Sequence, residues 1–338
     1  MKTSILITGV AGFIGYFLTK KLFQKNSDLI IVGIDNLNDY YDTSLKKSRL
    51  KQLLTYSNFI FVEGDISNKE TIQNLFNKYS FTYVVNLAAQ AGVRYSIDHP
   101  DTYIQSNIVG FFNLLEACRH HSINHFVFAS SSSIYGANKK VPYSTGDKTD
   151  CPVSLYAATK KTDELLGYAY SKLYNTPMTG LRFFTVYGPM GRPDMAYFKF
   201  TNSLIKGETI DIYNNGDMFR DFTYIDDIVE GIARILFKIP SRDANGVLFK
   251  VYNIGNNHPD SLLTFVSILE QKLIKYSLIN KEGKKRYLPM QPGDVYQTYA
   301  DVSDLLSDFN WKPSTTLEDG LEKFVKWYKE YFFDNGNK

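Results

Sequence analysis

The stretch Ser4-Ile5-Leu6-Ile7-Thr8-Gly9-Val10-Ala11-Gly12-Phe13-Ile14-Gly15 decides the fold. Its first five residues form a short apolar run, the pattern of a strand buried on both faces. Glycines follow at 9, 12 and 15, and an amphipathic stretch then runs to about Lys25. The spacing GxxGxxG is one residue longer at its first gap than the common dinucleotide-binding fingerprint, but the physics is shared. Gly9 permits a tight turn, Gly12 lets the backbone approach a pyrophosphate, and Gly15 lets the helix close on the sheet. The helix start offers unpaired N–H groups and a positive dipole end to phosphates. A glycine pattern alone is weak evidence. Its place between a strand and a helix is the context that gives it meaning.

Apolar runs continue the series at 29–34, 58–62, 83–87 and 125–129, and helical patterns at 69–78 and 100–121 separate most of them. Repeated strand–helix units with right-handed crossovers imply an α/β fold, a Rossmann-type doubly wound parallel sheet with helices on both faces. After about residue 180 the rhythm breaks into turn-rich sequence such as 188–193 and 214–217, with helical patterns at 199–206, 225–237, 261–274 and 317–332. The expected organisation is a cofactor-binding domain over 1–180, rejoined by about 221–255. A smaller C-terminal substrate-binding lobe takes 181–220 and 256–338.

Asp35 ends the second run, twenty residues after Gly15. A carboxylate there accepts hydrogen bonds from a ribose diol and repels a 2′-phosphate, which favours NAD over NADP. Asp65-Ile66 follows the third run, where it either meets adenine or simply caps the next helix.

Composition excludes other classes. The 338 residues carry 38 basic and 35 acidic side chains, a net charge of +3, and no basic stripe for nucleic acid. Cys118 and Cys151 imply no disulfide framework, fit a reducing compartment, and have no metal-ligand company. No signal peptide is read ahead of the first strand, and no apolar run of about eighteen residues exists to span a membrane. A cytoplasmic protein is expected.

Tyr156-Ala157-Ala158-Thr159-Lys160 carries the chemistry. Residues four apart share a helix face. A phenol titrates near 10 in water. An adjacent ammonium and an oxidised nicotinamide both stabilise the phenolate, so such a phenol can take a proton from a sugar hydroxyl. Ser130-Ser131-Ser132-Ser133 follows the run at 125–129, and strand ends in such sheets face the ligand crevice. A serine there can orient the same hydroxyl.

At this point the chain resembles the extended short-chain dehydrogenase/reductases of the nucleotide-sugar epimerase group, and within it the UDP-glucuronate 4-epimerases. The resemblance covers nearly the whole chain. It rests on TGVAGFIG at 8–15, GIDNLNDYYD at 33–42, NLAAQAGVRYS at 86–96, SSSSIYG at 130–136 and SLYAATKK at 154–161. LRFFTVYGPMGRPDM at 181–195, RDFTYIDDIVEG at 220–231, VYNIGN at 251–256 and LPMQPGDV at 288–295 complete it. It implies that Gly9, Gly12, Phe13, Ile14, Gly15, Asp35, Asn36, Asn38, Asp65, Ile66, Leu87, Ala88, Ala89 and Asn107 surround NAD, with Tyr156 and Lys160. It makes Ser131 the catalytic hydroxyl, Tyr156 the general base and acid, and Lys160 the holder of the nicotinamide ribose.

For a UDP-sugar substrate it implies Arg94 near phosphates, Arg220 on the diphosphate, and Ile212 and Tyr213 at uracil. Ser132 and Ser133 would lie against the hexose, and Asp294 would join them. Thr185 and Arg192 would hold a sugar carboxylate, where galactose-type enzymes usually carry Asn at the Thr185 position. The implied reaction is reversible oxidation at C4, swinging of the 4-keto sugar, and reduction on the other face. Sister decarboxylases and dehydratases carry acidic residues where Ser132 and Ser133 stand.

Gln291 departs from the arginine of galactose-type enzymes, a change the uronate enzymes tolerate. Thr298 sits near a gatekeeper position that can admit an N-acetyl group. UDP-N-acetylglucosamine, its uronate and UDP-glucose therefore stay open as substrates, as does a non-catalytic NAD-binding sensor. The resemblance also implies a homodimer through helices at 100–121 and 154–173.

Overall fold

The computed structural model describes residues 2–290 and 295–334. Seven parallel strands form its central sheet. β1 (Ser4–Thr8), β2 (Ile30–Asp35) and β3 (Phe59–Glu63) run outward to one edge. β4 (Tyr83–Asn86), β5 (His125–Ser131), β6 (Met178–Phe183) and the strand Phe249–Ile254 run to the other. The strand order therefore reverses between β1 and β4, and ligands bind outside the carboxyl ends at such a switch point.

Both sheet faces are covered. Helices Phe13–Lys25 and Ile225–Leu236 pack together on one face. Helices Lys69–Lys78, Gly110–Arg119 and Leu155–Tyr174 cover the other, with Leu75, Leu114 and Leu115 buried beneath them. The apolar centres of β1 and β4, Ile5-Leu6-Ile7 and Val84-Val85, follow from this double cover.

The helix expected over 100–121 is not uniform. Pro100–Tyr103 is α-helical, Ile104–Val109 is π-helical, and Gly110–Arg119 is α-helical again. The wide turn swings Asn107 inward, 1% exposed, to bond the backbone of Gln90. Helix Ser44–Leu53 was not anticipated.

Two smaller sheets accompany the central one. Phe219–Tyr224 pairs with Thr185–Tyr187, Pro259–Ser261 and Gln297–Thr298, and Ile210–Tyr213 pairs with Lys285–Leu288. The strand at 219–224 lies outside the seven-stranded sheet, and helix Ile225–Leu236 after it packs on that sheet's face. β6 carries the first passage of the main sheet on to Phe183.

Candidate active site

The cavity opens where β1 and β4 part. Thr8 ties the two strands there: its Oγ1 donates to Asn86 Oδ1 at 2.6 Å and accepts from Leu87 and Ala88 N–H at 3.1 and 3.0 Å. Gly9 takes a left-handed turn at φ +67, and a Cβ on it would stand 2.8 Å from Ala88 N. A Cβ on Gly15 would stand 2.3 Å from Gly9 O. Only glycine lets this turn and helix approach so closely. Gly12 caps the helix without a side-chain acceptor, so the first-turn N–H groups are left to whatever fills the cavity. Gly9, Gly12, Phe13, Ile14 and Gly15 all line it.

Asp35, at the end of β2, also lines the cavity and is 7% exposed. Its oxygens accept from Ala11 N–H at 3.1 Å and Leu37 N–H at 2.9 Å, which fixes the carboxylate while leaving further lone pairs for a diol. Lys46 stands 3.9 Å away and donates to Asn38 O and Oδ1 at 2.9 Å. Burial pulls the Lys46 ammonium down, and Asp35 opposes it.

Asp65 accepts from Ser67 N–H, Ser67 Oγ and Asn36 Nδ2. Burial raises this carboxyl, but those hydrogen bonds outweigh it and hold it below the usual range. The cap of the following helix is Asn68, not Asp65, so Asp65 is free of the simple capping role and lines the cavity with Asn36, Asn38 and Ile66. Leu87, Ala88 and Ala89 line it from β4. Asn107 does not. It grips the Gln90 backbone and Thr159 Oγ1, and so shapes the wall from behind.

Ser131, Tyr156 and Lys160 converge on the cavity from the end of β5 and the first turns of helix Leu155–Tyr174. Ser154 caps that helix by accepting from Ala157 N–H at 3.1 Å. Tyr156 packs edge-on to Tyr103 at 6.1 Å. The Lys160 ammonium is 2% exposed and meets Asp163 Oδ2 at 2.9 Å. Burial pushes the Asp163 carboxyl up, to about 7, against the pull of Lys160. Its second oxygen is buried with no partner among the described residues.

Beneath Ser131 lies a buried network. Ser130 donates to Glu164, which takes both sides of the Arg182 fork, and Tyr135 bonds Asn253. It fastens the catalytic helix to β5 and β6. Ser132 and Ser133 begin the turn beyond the strand and are not among the cavity-lining residues; Ser133 Oγ instead accepts from Ser131 Oγ.

Arg192 lines the cavity with Tyr40, Phe183, Val186 and Met195. Its Nε donates to Asp194 Oδ1 at 3.0 Å and its Nη2 to Asp194 Oδ2. Tyr40 OH donates to that same Oδ2 at 3.1 Å. Burial first, then Asp194, pushes the Tyr40 phenol up to about 12. Thr185 opens the strand behind Val186, off the cavity wall.

The residues expected around the uridine diphosphate are only partly gathered. Arg94 lies 5.3 Å over the Tyr213 ring. Arg220 donates to Phe219 O and Tyr296 O on the neighbouring strand. Ile212 is fully buried in the core and off the cavity wall. Asp294 and Gln291 lie outside the described residues.

Arg49, from the unanticipated helix, joins the two halves. Fully buried, it donates to Ala11 O in the glycine loop and to Met190 O in the loop before Arg192, at 2.8 and 2.6 Å. Tyr40, Asp163, Asp194 and Arg49 were not singled out in the sequence. Tyr40 and Asp194 sit inside quoted motifs, but only the fold brings them 3.1 Å apart.

Comparisons agree with this geometry. The family model described as GDP-mannose 4,6 dehydratase matches residues 6–324. The protein CapI of Staphylococcus aureus is 52% identical over 97% of this chain and 99% of its own length. UDP-glucuronate 4-epimerase 2 of Arabidopsis thaliana is 46% identical over 99% of this chain and 78% of its length. The crystal structure of UDP-glucuronic acid 4-epimerase from Bacillus cereus, in complex with UDP-glucuronic acid and NAD, superposes with a TM-score of 0.87. It is 35% identical, and the match covers 97% of this chain and 99% of that one. With its glycine loop, its Ser131–Tyr156–Lys160 convergence and these relatives, the chain belongs to the extended short-chain dehydrogenase/reductase family, in its nucleotide-sugar epimerase group.

Proposed function

We propose that this chain is an NAD-dependent UDP-glucuronate 4-epimerase, interconverting UDP-glucuronate and UDP-galacturonate. One observation carries the reading: a proton-transfer set and an arginine, Arg192, share a cavity with a dinucleotide-binding loop. The glycine loop and Asp35 fit a diphosphate and a ribose diol, and the relatives support NAD.

Bound NAD supplies what no side chain can, a reversible acceptor for the C4 hydride that is given back to the opposite ring face. The residues do the rest. Tyr156 takes the C4 hydroxyl proton and later returns it. Ser131 orients that hydroxyl. Lys160 holds a cation near the phenol, where it stabilises the phenolate. Arg94 and Arg220 grip the diphosphate while the 4-keto sugar turns, which keeps the intermediate from leaving.

That intermediate is a β-keto acid, prone to lose carbon dioxide. Arg192, with Thr185, would hold its carboxylate near the carbonyl plane and slow the loss. The only carboxylates lining the cavity among the described residues are Asp35 and Asp65, both at the cofactor end. No acid is therefore placed beside Tyr156 for elimination, which supports epimerisation without further reaction.

Unpaired cysteines support a reducing cytoplasm. A homodimer is supported by Leu165 and Leu173, which stay 59% and 70% exposed on helix Leu155–Tyr174. Sedimentation of a monomer at micromolar concentration would remove that part of the reading.

The activity is tested by incubating purified protein with UDP-glucuronate, UDP-glucose and UDP-N-acetylglucosamine separately, reading products from anomeric-proton NMR. Conversion of UDP-glucuronate alone is expected. Conversion of a neutral sugar instead would keep the mechanism and discard the carboxylate role. No conversion of any, with NAD bound, would point to another sugar or a sensor.

A further inference from the structure

We propose that Asp194, aided by Tyr40, is a specificity-determining positioning residue that presets Arg192 to receive a carboxylate. The inference rests on the uronate reading above. Arg192 lines the cavity and Asp194 does not, so the carboxylate braces the guanidinium from behind. The brace occupies Nε and Nη2, the side-on edge of the fork. Nη1 and the second Nη2 proton form the end-on pair of donors outside that edge, and Tyr40 is hydrogen-bonded to the arginine as well. Two parallel donors match the two oxygens of a carboxylate.

Tyr40 completes the brace. Its hydroxyl donates to Asp194 Oδ2, and its ring stacks edge-on with Tyr95 at 4.7 Å. Asp194 is thereby fixed also by a loop 154 residues away in sequence.

The brace also shapes selectivity. Paired with Asp194, Arg192 is close to neutral as a unit, so a sugar without a carboxylate meets no bare buried cation. A uronate gains two oriented charge-assisted hydrogen bonds. The discrimination is therefore directional: it depends on how the fork is held as well as on its charge.

The test uses the full chain with bound NAD. KM for UDP-glucuronate and the inhibition constant of UDP-glucose, which lacks only the carboxylate, are measured for wild type, Asp194→Asn and Tyr40→Phe. Asp194→Asn keeps the size but replaces one acceptor oxygen with a donor that faces a guanidinium N–H. The expected result is a KM for UDP-glucuronate raised at least tenfold, with the UDP-glucose constant within threefold of wild type. Tyr40→Phe should act the same way, two- to threefold.

Equal weakening of both ligands would overturn the proposal, since a merely structural role moves both. A lowered KM for UDP-glucuronate would also overturn it, because Asp194 would then be a competitor for Arg192. If Asp194→Asn does not fold, Tyr40→Phe decides on the same two constants. Failure of wild type to convert UDP-glucuronate would count against the uronate reading itself and is seen before any variant is made.

Discussion

The two ends of the cavity are built by opposite means. The end at the glycine loop is largely backbone: a turn at Gly9, a helix start at Gly12 and the loop after β4 are pressed together across the fold, with Asp35 and Asp65 beside them. The end around Arg192 is side chains on separate loops, Arg192, Asp194 and Tyr40, held by charge and hydrogen bonds. A backbone site tolerates almost no added volume. A side-chain site tolerates change in shape but responds to every change in charge or donor count. One end is thus fixed for a cofactor common to many chains, and the other is adjustable for the sugar.

The largest test falls where the two ends meet. Tyr156→Phe removes the proton carrier but keeps the ring against Tyr103. Turnover should fall by about 10²–10⁴, the usual worth of a positioned acid–base group. Bound NAD and UDP-sugar affinity should change little. Loss of NAD together with activity would show that the two ends are not separable.

Gly15→Ala strikes the backbone end alone. Its Cβ would meet Gly9 O, which cannot move without the turn. A stability loss of about 1–3 kcal/mol, the cost of overpacking, is expected with loss of co-purified NAD. Thermal unfolding with and without added NAD checks both. A variant that keeps its NAD would break the contrast drawn above.

The smallest effect concerns Asp163, whose carboxyl burial raises to about 7. A carboxyl raised on folding favours the protonated folded state. Its stabilising contribution is full below the ordinary carboxylate range and is lost as pH rises through about 7. Asp163→Asn removes that titration. Between pH 4 and 7 wild type should lose stability relative to the variant, progressively as the pH climbs from the ordinary carboxylate range toward 7. Parallel stability curves across that window would show that the pair is held as ions throughout.

The same contrast explains what could be read from the chain. The sheet was legible because strands buried on both faces read as unbroken apolar runs, and helix Lys69–Lys78 was legible because its apolar stripe recurs at helical spacing. Helix Ser44–Leu53 was not, because its buried face carries Lys46 and Arg49 beside Leu45, Leu50 and Leu53. Periodicity cannot recognise a buried stripe that includes cations.

The glycine loop and Tyr156–Lys160 lie within short windows whose spacing is the message. Asp194 and Tyr40 are joined only by folding, and nothing in either segment announces the other. The π turn at Ile104–Val109 also left no mark; the partner its Asn107 bonds, the Gln90 backbone, lies 17 residues away.

Arg49 has a consequence for how such chains diversify. One guanidinium serves carbonyl oxygens in the glycine loop and in the turn before Arg192. A transplant of 188–195 into a relative with another side chain at this place would arrive with its Met190 carbonyl unserved. The loop at 188–195 therefore does not travel alone: its shape is inherited together with helix Ser44–Leu53.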